Sequence, residues 1–263
     1  MAKLPLARGA QVQLLHVIPD DDSVAADRAR SQLELECERL QALTEPRAEM
    51  KVATGEAWAE IVRAARTYGA ELVVVGPHSK QGRLFEIGST AREVIRRGSA
   101  PVLVVKGPAT LPYRRPLVAL DLSDVSRSVL DAALLAVDNE VAVRLVHAYH
   151  VPFEGYVATS SSRADLDSFR RHYRDEARAR MSPFVANAEQ DASRCAATIR
   201  QGEACSVIAH EVARRNGDLV VVGTHGRTGF SHLLLGSVAQ WLLENAPCDV
   251  LVGRPERFSN ESG

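Results

Sequence analysis

The chain is one unit written twice. Residues 55–78, "GEAWAEIVRAARTYGAELVVVGPH", align with residues 202–225, "GEACSVIAHEVARRNGDLVVVGTH", matching Gly55 to Gly202, Glu56 to Glu203, Ile61 to Ile208 and the whole "LVVVG" block at a constant offset of 147. Farther upstream, "QLLHVIP" (13–19) matches "RLVHAYH" (144–150) at an offset of 131, so the second copy carries 16 extra residues between these landmarks. A repeat of this length restricts the fold to two similar domains, and 263 residues give each of them room for a core of its own.

Each copy alternates short β-branched runs with amphipathic stretches, as in "QVQLLHVI", "EAWAEIVRAARTYG", "ELVVVG", "TAREVIRRGS" and "PVLVVK". Continuous apolar strands separated by helices mean parallel strands covered on both faces, hence two open α/β units. Aromatics make up only 5% of the chain while Ala, Val and Leu dominate, which suits helices packed on a Val-rich sheet. Expected domains span residues 1–108 and 113–256, joined by "GPATLPYRRP" (107–116), whose three prolines and lack of apolar periodicity mark a short, semi-rigid linker. The extra residues of the second copy fall in "VPFEGYVATSSSRADLDSFRRHYRDEARARMSPF", where Arg170, Arg171, Arg174 and Arg178 alternate with Asp167, Asp175 and Glu176 at helical spacing; this reads as a solvated helix laced with ion pairs.

A formal net charge of −1 and a pI near 6.7 give no reason to expect a polyanion or an anionic membrane as partner. No segment approaches eighteen unbroken apolar residues, and "MAKLPLARGAQ" lacks the apolar core of a signal peptide, so a cytoplasmic protein is expected. Cys37, Cys195, Cys205 and Cys248 show no CxxC spacing and read as buried reduced thiols. GxxxxGK[ST] and GxSxG are absent, and His210–Glu211 meets Arg214 where a zinc helix needs His, so no metal site and no catalytic group are assigned.

In open α/β sheets ligands sit beyond the carboxyl ends of the strands, where Gly76 and Gly223 fall. "GTHGRTGFSHLLLGSVAQWL" (223–242) puts four glycines between the strand "DLVVV" and a helix-like stretch. Glycine at such a junction lets backbone N–H groups approach a phosphate, although a plain surface loop has the same composition. The strand "PLVALDLS" ends on Asp121, which suits a turn or helix-cap aspartate and equally a carboxylate accepting hydrogen bonds from a ribose or adenine. His16 and His147 hold matching strand positions and read as structural histidines.

The loop "GTHGRTGFSHLLLGS", with Gly223, two residues, Gly226, nine residues, then Gly236 and Ser237, resembles the glycine pattern of the universal stress protein family. "LVALDLS", "RLVHAYH" and "GEA" ahead of a helix and "LVVVG" are also similar to that family, over nearly the whole chain and in tandem form. The resemblance implies a Rossmann-like, adenine nucleotide alpha hydrolase-like fold with strand order 3-2-1-4-5 and ATP held between the first and fourth strands; ADP or AMP, with or without Mg, are alternatives. It implies that Leu120 and Asp121 meet adenine and ribose, that Gly223, His225 and Gly226 line the phosphate loop, and that Gly236, Ser237, Val238 and Ala239 receive the phosphates. Ala148 joins this set at a position where the family usually carries a larger aliphatic residue after "VH".

The first copy departs from the pattern. "GPHSKQGRLFEIGST" is one residue shorter between Gly76 and Gly88, and Ser79 replaces the second glycine. By the 131-residue offset Met1 corresponds to Ala132, so the first domain has no counterpart of "PLVALDLSDVSRSVLD" (116–131) and lacks its N-terminal, central strand. Either residues ahead of Met1, closure of the neighbouring strands, or another segment or chain must answer that gap. One nucleotide per chain is therefore expected, in the second domain. "PVLVVK" (101–106) and "CDVLVG" (248–253) are equivalent last strands whose exposed edges predict a pseudo-dimer within one chain, a homodimer being a further possibility. The functional expectation is an ATP-binding stress-response or signalling protein with at most slow hydrolysis; the alternatives are a nucleotide-free scaffold and an adenylating enzyme.

Overall fold

The computed structural model describes residues 4–6, 10–20, 22–43, 47–76, 87–107, 111–123, 125–160, 162–186, 193–224 and 235–254. The first half contributes β1 (Gln11–Ile18), α1 (Ser23–Leu43), β2 (Arg47–Thr54), α2 (Ala57–Tyr68), β3 (Val73–Val75), α3 (Ser89–Arg97) and β4 (Val102–Val104). The second contributes β5 (Pro116–Ala119), α4 (Ser126–Leu135), β6 (Val143–Tyr149), α5 (Glu154–Ser160), α6 (Arg163–Ala186), β7 (Cys195–Gln201), α7 (Ala204–Arg215), β8 (Leu219–Gly223), α8 (Ser237–Asn245) and β9 (Asp249–Gly253). The duplication is visible in the backbone: α2 and α7 end on left-handed residues at equivalent positions, Gly69 (φ 67°) and Asn216 (φ 50°).

The second half is an open parallel sheet in the order β7-β6-β5-β8-β9, which is 3-2-1-4-5 counted within the half. Strands β5 and β8 at its centre are apolar at every position because both faces are covered. Val118, Leu145, Val221 and Leu251 face one layer with Leu130 and Ala133 of α4. Leu117, Val146, Val220 and Val250 face the other with Ile208 of α7 and Leu242 of α8. The 16 additional residues supply α5 and a longer α6, whose Arg170 pairs with Glu154 and Asp167 while Asp175 pairs with Arg174 and Arg178.

Past β9 the same sheet continues into the first half. β4 pairs antiparallel with β9, setting Val102 opposite Val252 and Val104 opposite Val250, and β3 follows β4 in parallel. The two last strands thus cover each other's edges, and seven strands form one sheet. The linker is tied to this junction: buried Tyr113 donates its hydroxyl to Asp249 (2.6 Å), which also accepts the Lys106 backbone N–H (2.8 Å). Lys106 Nζ in turn caps the carbonyl of Ala246 (2.8 Å) at the end of α8, and Arg92 of α3 meets Glu244 of α8 at 3.1 Å.

The first half is split where its central strand would lie. β1 and β2 pair in parallel as a separate two-stranded sheet, while β3 and β4 belong to the seven-stranded one. Among the described residues β1 and β3 do not pair with each other. The consequence is local: Leu14, Leu15, Val17 and Val73–Val75 are half-buried, whereas their counterparts in β6 and β8 are almost all fully buried.

Candidate functional site

The turn after β5 fixes a carboxylate at the carboxyl edge of the sheet. The Leu120 N–H makes the last ladder bond, to Val146 O (2.9 Å), and Asp121 lies just beyond the end of the strand. The Leu120 carbonyl accepts a hydrogen bond from buried His147 Nδ1 (2.7 Å), so that nitrogen carries the proton; burial pushes the His147 pKa below its ordinary value. Leu122 turns left-handed (φ 61°) although it is not glycine, a conformation that costs about 1–2 kcal/mol, and Arg180 of α6 donates to its carbonyl (3.2 Å). Between these two anchored peptides Asp121 Oδ1 accepts the Ser123 N–H (3.1 Å) and the hydroxyls of Ser123 (2.7 Å) and Ser126 (2.9 Å). The turn-aspartate role and a position at the strand end are both present.

The second wall is the β8–α8 junction. Gly223 ends β8 opposite Gly253 of β9, and the carbonyl of buried Thr224 accepts the Gly236 N–H (2.7 Å), so the two ends of the intervening loop are drawn together. Gly236 is the N-cap of α8 in extended conformation (φ −61°, ψ 148°), so its value there lies in the missing Cβ, and it supplies no side-chain cap. The first intrahelical bond runs from the Gln240 N–H to Gly236 O (2.9 Å), which leaves the N–H groups of Ser237, Val238 and Ala239 as the donors at the positive end of the helix dipole. In α7 the equivalent donors are occupied, since Glu203 accepts the N–H groups of Cys205 (3.0 Å) and Ser206 (2.8 Å).

These walls enclose a cavity of about 250 Å³, near the lower end of the range of about 300–1,000 Å³ usual for small-molecule sites. It brings together eight residues singled out in the sequence: Leu120, Asp121, Ala148, Gly223, Gly236, Ser237, Val238 and Ala239. His225 and Gly226 lie outside the described residues. The sequence reading missed Ser126 and Val129 of α4 and Ala204 and Ile208 of α7, which close the cavity from the flanks, and it read His147 only as structural. Ala204 and Ile208 sit within the repeated "GEA" block, the one signal that could have found them. No group of His, Cys, Asp or Glu able to hold a metal converges among the described residues.

Among the described residues the corresponding cleft of the first half is open on one side. Ala57, Ser89 and Thr90, equivalent to Ala204, Ser237 and Val238, line an open space of about 520 Å³ with Glu56, Trp58, Glu93 and Arg97, and no counterpart of β5 or Asp121 lies among the described residues. Arg97 stacks over Trp58 at 4.7 Å and pairs with Glu93 (2.7 Å), so its cation is engaged beside the cleft.

The sequence model of the universal stress protein family matches residues 1–106 and again residues 112–254. Universal stress protein YxiE of Bacillus subtilis is 30% identical over 151 residues, covering 54% of this chain and 99% of its own. A universal stress protein of Methanocaldococcus jannaschii is 28% identical over 142 residues, covering 53% and 81%. Among solved structures, a universal stress protein from Archaeoglobus fulgidus superimposes with a TM-score of 0.66 at 18% identity, over 94% of this chain and 88% of that one. A universal stress protein from Pseudomonas aeruginosa superimposes with a TM-score of 0.61 at 20% identity, over 94% and 83%. These likenesses establish a shared fold extending across both halves.

Proposed function

The chain belongs to the universal stress protein family in tandem form, and from that premise we propose that its second half binds an adenine nucleotide whose presence biases the protein's shape or choice of partner. The observation that carries this reading is that one cavity at the carboxyl ends of β5 and β8 holds Asp121 at one side and the uncapped N-terminus of α8 at the other. Apolar walls from Leu120, Val146, Val222 and Ile208 suit a planar base. Asp121 is the acceptor for ribose or adenine, and the N–H groups of Ser237, Val238 and Ala239 with the Ser237 hydroxyl receive phosphates. Bound Mg would be held by the phosphates, since no carboxylate cluster adjoins α8 among the described residues.

Thermal unfolding with and without Mg-ATP tests the reading. Ligand at about 100 times its dissociation constant should stabilise the protein by roughly 2.7 kcal/mol. An unchanged transition with ATP, ADP and AMP, together with no heat of binding, would instead support a nucleotide-free pairing scaffold.

A further inference from the structure

Charge does not balance on the face of the sheet that α7 covers. The Glu211 side chain is fully enclosed; its Oε1 accepts Arg200 Nε (3.2 Å), and its Oε2 accepts Arg214 Nη2 (2.8 Å) and Arg215 Nε (3.1 Å). A fourth guanidinium comes from β6. Arg144 stands opposite Leu117 of β5 in the parallel register, and Leu117 packs in the layer that holds Ile208 and Val212 of α7, so Arg144 lies on that same face. It is half-buried and makes no hydrogen bond or ion pair among the described residues. Burial and then Arg215 push its pKa below the ordinary value, Glu211 pulls it up and Arg214 pushes it down again, so the charges acting on Arg144 are those of the cluster.

Four positive charges thus meet one negative, a net charge of +3. The side chains of Arg200, Arg214 and Arg215 are 53%, 44% and 31% exposed while Glu211 is enclosed, so guanidinium groups lie between the carboxylate and water. Arg200 and Arg215 reach Glu211 through Nε, which leaves both terminal nitrogens of each as further donors. Asp218, the carboxylate just past the end of α7, is committed to the backbone N–H groups of Arg114 (2.7 Å) and Arg115 (2.9 Å). A network that served packing alone has no use for Arg144. A neutral side chain of similar length would fill its place without repulsion from Arg214 and Arg215.

We propose that Arg144, Arg200, Arg214 and Arg215 form a second anion site, for the phosphate group of a small molecule, on the α7 side of the sheet and apart from the nucleotide cavity. A tetrahedral dianion presents acceptor oxygens to forked donors arriving from several directions and offsets most of the excess charge, whereas a carboxylate brings a single charge and one planar pair of oxygens. The cluster lies over β6 and β7, while α8 follows β8. In the order β7-β6-β5-β8 these lie on opposite sides of β5, so the arginines and the start of α8 hold phosphate at two separate places.

The test titrates inorganic phosphate, and separately glycerol phosphate, into the full chain at neutral pH and constant ionic strength, reading the arginine side-chain Nε–H signals by NMR. Saturable shifts of the Arg144, Arg200, Arg214 and Arg215 signals are expected with both, the tighter of the two marking free phosphate or a phosphomonoester as the occupant. Arg144→Met keeps the apolar stem and removes the charge. It should weaken phosphate binding at the remaining three arginines by about tenfold or more, while the phosphate-free unfolding midpoint stays at or above that of the parent, because a repulsion is gone. Shifts no larger than those from chloride or acetate, shifts confined to the N–H groups of Ser237, Val238 and Ala239, or undiminished binding by Arg144→Met would overturn the proposal. So would a phosphate-free midpoint lowered by Arg144→Met, because the chain itself would then be holding that cation.

Discussion

Asp121 carries two duties, and separating them decides its role. Its Oδ1 organises the turn through Ser123 and Ser126, while the residue as a whole lines the cavity. Asp121→Ala should lower nucleotide affinity by about 1.5–3 kcal/mol and also loosen the turn. Asp121→Asn keeps an acceptor for the serines and converts the other oxygen into a donor, so it should lose affinity in calorimetry while the ligand-free unfolding temperature stays near that of the parent. An Asn variant that binds as tightly as the parent would remove the carboxylate from the recognition of the nucleotide. The position of Asp121 was legible because an apolar run ending in an acidic residue marks the carboxyl end of an inner strand. Its partners were not: the Ser126 bond depends on how tightly the chain turns into α4, and the His147 and Arg180 bonds to the flanking peptides arise from packing between elements distant in sequence.

At the scale of elements, period and turn chemistry made the helices and strands readable, and the insertion appeared where the repeat offsets put it, as α5 and a lengthened α6. A feature no periodicity announces is Glu211, fully buried on the inner face of α7. Burial pushes its carboxyl up, but hydrogen bonds from Arg214 (2.8 Å), Arg215 (3.1 Å) and Arg200 (3.2 Å) outweigh that and hold it at about 2. Because the folded pKa lies below the ordinary 4.5, this carboxylate's contribution to stability is complete above pH 4.5 and is lost as the pH falls toward 2. Denaturant titrations across that interval should therefore show a shallower acid loss for Glu211→Gln than for the parent. Glu211→Ala, which strips the partner from three guanidinium groups that keep access to water, should cost about 1–3 kcal/mol at neutral pH. A neutral-pH loss within experimental error would mean that the arginines solvate themselves and that the cluster does not anchor α7 to β7.

At the scale of the whole molecule β4 and β9 pair across the two halves in one sheet, a junction legible from "PVLVVK" and "CDVLVG" because apolar last strands require covering; the staple that locks it was hidden in what reads as a linker. Asp249 gathers the Tyr113 hydroxyl and the Lys106 backbone across the junction, so Asp249→Ala should destabilise the chain by about 3–5 kcal/mol in urea unfolding, with Asp249→Asn milder. The halves differ in the walls around the proposed nucleotide site. In the second, β5 supplies Asp121 and the wall that faces α8; in the first, β1 and β3 lie in separate sheets, and the equivalent cleft carries the Glu93–Arg97 ion pair beside the start of α3. Both α3 and α8 begin after a glycine without a side-chain cap, Gly88 and Gly236, so a helix N-terminus is common to the two halves and cannot by itself choose between them. The surrounding walls do. Calorimetry should accordingly report one nucleotide per chain. Gly236→Trp should abolish binding by filling the volume between Asp121 and α8, whereas Gly88→Trp should leave affinity unchanged. Two sites per chain would put a second nucleotide in the first half, and binding that survives Gly236→Trp and disappears with Gly88→Trp would move the site there and sever the link between the cavity and the nucleotide.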